Sequence, residues 1–133
     1  MEAWEDLRQK FHEDAFPRYL GVELLEVAPG YARVAMTLTD NMLNFHGIGH
    51  GGAIFTLADT ALGLASNSRG EKSVALTVTI NYLASALAGQ RLVATAREHH
   101  ATRRTGIYDV TIEEEGSGKV IAIARGTSFR PQV

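Results

Sequence analysis

Apolar residues recur along the chain with two periods, and each period predicts one kind of secondary structure. Trp4, Leu7 and Phe11 have the spacing of one helical face, so residues 1–16 are predicted to form a short amphipathic helix. Pro17 is expected to break the chain after it, because proline cannot donate the hydrogen bond that a continuing helix needs.

Alternating apolar and polar residues then predict a β-hairpin. Its strands are expected at residues 22–27 and 31–38, on either side of an Ala-Pro-Gly turn. Residues 40–49 contain turn formers and show no clear period, which predicts a loop.

The next segment, GGAIFTLADTALGLAS, is almost entirely small or apolar and predicts a long central helix over residues 51–68. Its apolar residues cover most of the circumference, so this helix has to be buried on most sides. Beyond it, β-branched residues and short connections predict an antiparallel meander of four strands, at residues 73–83, 89–100, 105–115 and 119–129.

A long helix and a single antiparallel sheet have to bury each other's apolar surfaces. The pattern therefore predicts one α+β domain over residues 1–133, with a curved antiparallel sheet wrapped around the central helix. We expect a second copy of the chain to cover the flank of the helix that the sheet leaves open.

Composition excludes several classes of function. The chain has no cysteine, which rules out disulfides and a cysteine nucleophile and fits a reducing compartment. A net charge of −2 without blocks of like charge gives no reason to expect nucleic acid as a partner. No apolar run reaches the roughly 18 residues that span a bilayer, so we expect no membrane segment and a cytoplasmic protein.

Asp59 is the unusual residue of the central helix. It lies about two turns past the helix start, too late to cap it, and no residue three or four positions away is cationic. Burying an unpaired carboxylate is costly or raises its pKa, and a raised pKa suits a general base. A structural alternative stays open, in which Asp59 caps another backbone segment or pairs with a distant arginine such as Arg33 or Arg97.

The start of the helix offers hydrogen-bond donors. Gly51 and Gly52 carry no side chains, so a ligand oxygen can approach the unpaired N–H groups of the first turn, as in an oxyanion hole. The amide of Asn44, six residues before His50, can donate another hydrogen bond. Gly63 leaves room beside Asp59, although all these glycines also fit plain packing or turn geometry.

The spacing of these groups predicts a site shared between subunits. Gly52 and Asp59 are separated by roughly 10 Å along the helix axis, too far for one chain's carboxylate to serve a carbonyl held at its own helix start. Two helices packed antiparallel across a two-fold axis would bring each helix start near the middle of its partner, giving two sites per dimer.

The sequence resembles the hotdog-fold acyl-CoA thioesterases of the phenylacetic-acid-degradation type. The likeness rests on Asn44, His50-Gly51-Gly52, the segment LADTA around Asp59, Asn67-Ser68, and the strand segments INYLASA and RTGIYDVTI. It covers the chain from about residue 20 to residue 129, and HGG followed by LADTA is its most specific part.

The resemblance implies a role for each residue of the site. Asp59 would act as general base on water or as nucleophile, and the Gly51 amide of the other subunit, supported by Gly52, would polarise the thioester carbonyl. Asn44 would orient the carbonyl or the water, and His50 would support the loop. Related enzymes hold the water with a hydroxyl on the strand after the helix; here Ala75 takes that place, and Thr77 is the nearest substitute.

The resemblance also implies that dimers pair into tetramers. It implies no cofactor, because coenzyme A is part of the substrate. We therefore predict hydrolysis of (hydroxy)phenylacetyl-CoA, or of a related aromatic or medium-chain acyl-CoA, to the free acid and coenzyme A. Two alternatives remain: a non-catalytic acyl-CoA-binding module, and a hotdog enoyl-CoA hydratase or dehydratase.

Several histidines and cationic residues are further candidates for binding a metal or a phosphate. His46 and His50 have a zinc-like spacing, but they flank glycines and lack an evident third ligand, so we predict no metal site. Cations near a predicted strand turn could contact the phosphates of coenzyme A, with Arg103 as the chosen candidate. Further candidates are His99, His100, Arg104, Arg69 and Lys72.

Overall fold

The computed structural model describes residues 3–131, with side chains from Glu5 onward. The predicted apolar role of Trp4 therefore lies outside the described side chains. Two short helices precede the first strand, α1 (Ala3–Glu13) and α2 (Ala15–Tyr19), and the long central helix is α3 (Gly51–Ser66). The strands are β1 (Glu23–Ala28), β2 (Tyr31–Thr37), β3 (Val74–Tyr82), β4 (Arg91–Ala101), β5 (Thr105–Glu114) and β6 (Val120–Phe129).

Pro17 does not end the N-terminal helical segment, contrary to the prediction. The helix breaks earlier, at Asp14, and Pro17 is the third residue of α2. Proline is tolerated there because the first N–H groups of a helix have no intrahelical acceptor. In the loop before α3, residues Asp40–Met42 form one short 3₁₀ turn.

All six strands form one antiparallel sheet, in the order β1-β2-β4-β5-β6-β3. The predicted four-strand meander is wrong at its first strand, since β3 pairs with β6 and β4 pairs with β2. Residues 83–90 carry the chain from β3 to β4, which lies beside β2 in the sheet. Gly49 N–H donates to Ala86 O at 2.7 Å and Gly89 N–H donates to Leu38 O at 2.7 Å, so this crossing segment is fixed to the loop and strand it passes.

Helix α3 packs on the concave side of this sheet, as predicted. Its residues Leu57, Ala61 and Leu62 are at most 1% exposed, and alternate residues of four strands face them. Many of those facing residues are small, which lets the helix approach the sheet closely. They are Ala32, Ala94, Ala96, Ala122, Ala124 and Gly126.

The end of α3 is fixed by side chains rather than by a continued helix. The predicted end at residue 68 is two residues too late, because Asn67 and Ser68 make other contacts. Asn67 Nδ2 donates to Gly63 O at 2.8 Å, and its Oδ1 accepts from Ser73 N–H at 2.8 Å. Ser68 Oγ accepts from Gly30 N–H at 2.7 Å, which ties the helix end to the β1–β2 turn.

The two edges of the sheet are β1 and β3. Strand β3 runs for nine residues and is hydrogen-bonded on one side only, to β6. Val74, Leu76 and Tyr82 on this strand are large apolar or aromatic residues that are 43% to 60% exposed. Among residues 3–131, no helix combines the length and apolarity that a bilayer crossing requires.

Gly126→Ala is expected to destabilise the fold by about 1–3 kcal/mol, because a Cβ at this position would overlap the Leu62 Cδ1 atom of α3. Urea denaturation of both proteins measures the difference. In a Leu62→Ala background the atom that clashes is gone, so Gly126→Ala should lower the free energy of unfolding by a smaller amount. An equal loss in both backgrounds would contradict this account of the helix–sheet contact.

Candidate active site

Asp59 lies in a pocket of about 500 Å³ between α3 and the N-terminal helices. One wall is the face of α3 that carries Asp59, Thr60, Gly63, Leu64 and Asn67. The opposite wall and the rim combine apolar residues with charged ones. They are Asp6, Leu7, Lys10, Phe11, Asp14, Phe16 and Pro17 from α1 and α2, with Gly70, Glu71 and Lys72 at the rim.

Asp59 has no structural partner in the part of the chain that the structure describes. Its carboxylate accepts no hydrogen bond and forms no ion pair there. The distant arginines are engaged elsewhere: Arg33 Nη1 lies 3.9 Å from Glu26 Oε1, and the Arg97 guanidinium lies 4.8 Å from the centre of the Tyr31 ring. The alternative of a capping or ion-paired Asp59 is therefore wrong within one chain.

The surroundings favour the protonated form of Asp59. Desolvation by the pocket walls raises the pKa of its carboxyl above the ordinary value for aspartate, and the negative charge of Asp14 raises this pKa further. Asp14 precedes the first residue of α2, yet its side chain makes no capping hydrogen bond with that helix. The result is an accessible acid that retains a proton to higher pH than an ordinary aspartate.

The N–H groups at the start of α3 can be accounted for one by one. His50 is the N-cap residue, and its Nδ1 accepts from Gly52 N–H at 2.8 Å. The carbonyl of His50 accepts from Ala53 N–H at 3.0 Å and from Ile54 N–H at 3.1 Å. Of these first-turn donors, Gly51 N–H alone has no acceptor among the described residues.

In this arrangement His50, Gly51 and Gly52 differ in what each can contribute to a site. Gly51 N–H is free to meet a ligand oxygen, as an oxyanion donor requires. Gly52 N–H is already bonded to the ring of His50, so the predicted support from Gly52 is not available in this conformation. His50 acts as a helix cap, in agreement with the predicted role of supporting the loop.

Tyr82 is a site residue that the sequence analysis missed. Its hydroxyl donates to Gly51 O at 2.9 Å, and its ring would lie 3.2 Å from a Cβ at position 51. A larger residue at position 51 would therefore have to displace the tyrosine ring by a few tenths of an ångström. The alternation of β3 places Val78, Ile80 and Tyr82 on the helix side, which is the signal that could have identified the tyrosine.

Asn44 lies in the same pocket as Gly51 and Tyr82, with a volume of about 380 Å³. Its Oδ1 accepts from His46 N–H at 2.9 Å and from Ile48 N–H at 3.3 Å, which fixes the loop and the orientation of the amide. Its Nδ2 has no acceptor within residues 3–131, so it remains available as a donor.

The acid and the donors thus occupy two different pockets of one chain. Asp59 lies in the first, while Asn44 and Gly51 line the second. The structure does not bring Thr77 or Arg103 into either of them. Thr77 is exposed on β3 opposite Thr127, just after a bulge, and Arg103 is exposed in the turn between β4 and β5.

The other cations predicted as phosphate contacts differ in availability. Arg69 is ion-paired with Glu98, and the guanidinium of Arg104 stacks 5.0 Å from the centre of the Phe129 ring. Lys72 lies at the rim of the Asp59 pocket, together with Lys10, which the sequence analysis did not select. Within residues 3–131 no three His, Asp or Glu side chains are grouped as metal ligands.

Comparison with known proteins agrees with this architecture. Residues 46–121 match the thioesterase superfamily. The chain belongs to this family of thioester-cleaving enzymes, and its sheet wrapped around a central helix is the hotdog fold.

Particular relatives cover nearly the whole chain. It is 40% identical over 129 residues to acyl-coenzyme A thioesterase PaaI of Escherichia coli, covering 97% of this chain and 91% of the relative. The solved structure of E. coli PaaI superposes with a TM-score of 0.94 over 98% of this chain and 94% of that one. A hypothetical thioesterase protein from Streptococcus pneumoniae, solved with coenzyme A, is 31% identical to this chain, with a TM-score of 0.85 over 92% of this chain and 95% of that one.

Asp14→Asn is expected to lower the pKa of Asp59, because it removes the neighbouring negative charge that favours the protonated form. The carboxyl ¹³C shift of Asp59, followed by NMR from pH 3 to 8, measures this pKa directly. Glu13→Gln is the matched control, since it makes the same change of charge one residue away and outside the pocket. Equal effects of the two variants would show that Asp14 has no particular influence on Asp59.

Proposed function

We propose that this protein is an acyl-CoA thioesterase whose active site is assembled from two subunits. Membership of the thioesterase superfamily and the likeness to PaaI support thioester hydrolysis. The observation that carries the mechanism is the unpaired Asp59, which has a raised pKa and lies in a pocket large enough for the acyl group of the substrate.

In the proposed reaction, Asp59 of one subunit removes a proton from water while the water oxygen attacks the thioester carbon. The negative charge that develops on the carbonyl oxygen is stabilised by Gly51 N–H and the Asn44 amide of the partner subunit. The carbon–sulfur bond then breaks, and the thiolate of coenzyme A receives the proton that Asp59 holds. Products are the free carboxylic acid and coenzyme A.

Direct attack by Asp59 on the thioester is the second route that the geometry allows. It would form an anhydride on Asp59 that water then hydrolyses. Single turnover in ¹⁸O-labelled water tests for the anhydride. Label in the Asp59 side chain demonstrates it, because only attack of water on the Asp59 carbonyl carbon places label there, whereas label confined to the product acid shows that water attacked the acyl carbon.

The separation of the two pockets supports a shared site. Gly51 and Asp59 are held about 12 Å apart along one rigid helix, too far to act on one carbonyl. The unpaired edge of β3, with its exposed apolar residues, is the kind of strand that a second chain covers by β-pairing. If two copies pair through β3, their two sheets join into one continuous sheet on which both α3 helices pack. Association of two such dimers would then give a tetramer.

For the substrate, we propose an aromatic acyl-CoA such as phenylacetyl-CoA or its ring-hydroxylated forms. The similarity to PaaI supports this choice, and the apolar part of the Asp59 pocket, formed by Leu7, Phe11, Phe16, Pro17 and Leu64, fits an apolar acyl group. The two alternatives are less favoured. A binding module has no use for an unpaired acid, and no histidine of residues 3–131 lines the Asp59 pocket to supply the His–acid arrangement of a hydratase.

Asp59→Asn is expected to reduce turnover of phenylacetyl-CoA by about 10²–10⁴-fold, because the amide cannot accept the proton of water. Release of free thiol measures the rate. Asp40→Asn is the control, since Asp40 is exposed and lies outside both pockets. Full activity of Asp59→Asn would refute the assignment of the base.

Folding of the same variant has a pH dependence that can be worked out. The raised pKa means that ionised Asp59 costs stability in the folded chain, and this cost is present above the folded pKa and absent below the unfolded pKa. Asp59→Asn should therefore melt at a higher temperature than the wild type at pH 7, and the difference should vanish in acid. A lower melting temperature at pH 7 would indicate that the carboxylate has a stabilising partner.

Mixing two inactive variants tests whether the site is shared. Asn44→Asp keeps the oxygen that accepts two backbone N–H groups but loses the free donor, so the loop is expected to remain folded. When this variant is co-expressed with Asp59→Ala, half of the dimers are mixed and each contains one intact site. About a quarter of wild-type activity should return. No recovery in verified mixed dimers would place the whole site in one chain.

A further inference from the structure

Gly63 occupies a position where the fold gives no reason for glycine. It lies within α3, where glycine is less favourable than alanine because it loses more backbone entropy on folding. Its backbone has no positive φ angle. A Cβ built at this position meets no atom within 4 Å, so a methyl group would fit without displacing any neighbour in the chain.

The empty space beside Gly63 is the pocket of Asp59. Position 63 follows Asp59 by one helical turn, so both residues lie on the same face of α3. The wall opposite this face includes Phe11, Phe16 and Pro17, and the side chain of Phe16 is 59% exposed. The apolar and aromatic part of a mixed wall, which also carries Asp6, Lys10 and Asp14, therefore faces a gap in the helix surface one turn from the acid.

The volume of the Asp59 pocket is sufficient for an aromatic ring. A dry cavity of about 150 Å³ is enough to hold benzene, and this pocket offers about 500 Å³ before any partner subunit covers it. The exposed Phe16 side chain offers a flat apolar surface on which an aromatic ring can stack. A methyl or larger group at position 63 would project into the space that such a ring needs.

We infer that Gly63 and Phe16 bound the acyl subsite, and that the missing side chain at position 63 sets its width to admit a ring. This rests on the proposed thioesterase function. Gly63 and Phe16 are specificity-determining residues, and the acyl class they select is aromatic or similarly wide rather than a narrow linear chain. A linear acyl group needs less width and should be affected little by a side chain at position 63.

Close packing of two helices is a different explanation for the glycine at position 63, and it makes a different prediction. If Gly63 instead allowed close packing of the partner's helix, a larger side chain would push the two subunits apart. Activity would then fall equally for every acyl group, and the dimer would weaken. Oligomeric state and substrate selectivity together distinguish the two explanations.

The experiment compares Gly63→Ala and Gly63→Leu with the wild type on phenylacetyl-CoA and butanoyl-CoA, following thiol release. We expect kcat/KM for phenylacetyl-CoA to fall about 10-fold or more in Gly63→Ala and further in Gly63→Leu, since one methyl group in a pocket is worth about 10–200-fold. Hydrolysis of butanoyl-CoA should stay within about twofold. Gly63→Ala should also melt roughly 2–6 °C higher than the wild type, because alanine favours the helix.

A second substitution across the pocket provides the matched control. Phe16→Ala in the Gly63→Leu background removes bulk from the opposite wall and should restore part of the activity on phenylacetyl-CoA. Size-exclusion chromatography with light scattering should show the same oligomer for all variants. Unchanged selectivity, or a uniform loss of activity with a dissociated dimer, would overturn the inference.

Failure of the proposed function would look different. In that case the wild-type protein itself would release no thiol from either substrate. A wild type that hydrolyses both substrates, with Gly63 variants of unaltered selectivity, would leave the thioesterase proposal standing and remove only the role of Gly63.

Discussion

The rigidity of helix α3 is the constraint on which the rest of the structure depends. This one helix carries the free donor Gly51 N–H at its start and Asp59 two turns later, facing different pockets. The sheet holds it on most sides, with Leu57 and Ala61 fully buried. Because a packed helix cannot bend to bring its own two groups together, the proposed reaction takes its acid and its donor from the helices of two different chains.

The sequence predicted the elements well and their pairing less well. The central helix and all six strands were expected close to their observed bounds, because each has a local apolar period. The place of β3 at the sheet edge beside β6 was not predicted, since strand order depends on contacts between distant segments. Pro17 was misjudged for a related reason: a short helix that starts at residue 15 turns a helix breaker into a first-turn residue.

The residues of the candidate site likewise fall into those that local sequence predicted and those that depend on contacts between distant segments. Asp59, Gly51 and Asn44 could be selected because each departs from what its own segment requires. The alternation of β3 gives only the face on which Tyr82 lies, and Asp14 has no local signal, since the contacts that make both important cross the fold: a hydroxyl on Gly51 O and a charge near Asp59. Thr77 was predicted from the position of a hydroxyl in related enzymes and Arg103 from the affinity of arginine for phosphate, and the single chain leaves both outside the two pockets.

Helix α3 contains two residues that weaken it, and both face the same pocket. Asp59 is an unpaired carboxylate whose ionised form is disfavoured by its surroundings, and Gly63 lacks a side chain where one would fit. Thr56 and Thr60 are also poor helix formers, but their hydroxyls donate to the carbonyls of Gly52 and Thr56 one turn earlier, whereas no contact among the described residues accounts for Asp59 or for the glycine at position 63. The helix–sheet core makes the protein stable enough to tolerate both destabilising residues. Selection for ligand binding explains why both of them lie beside the same cavity.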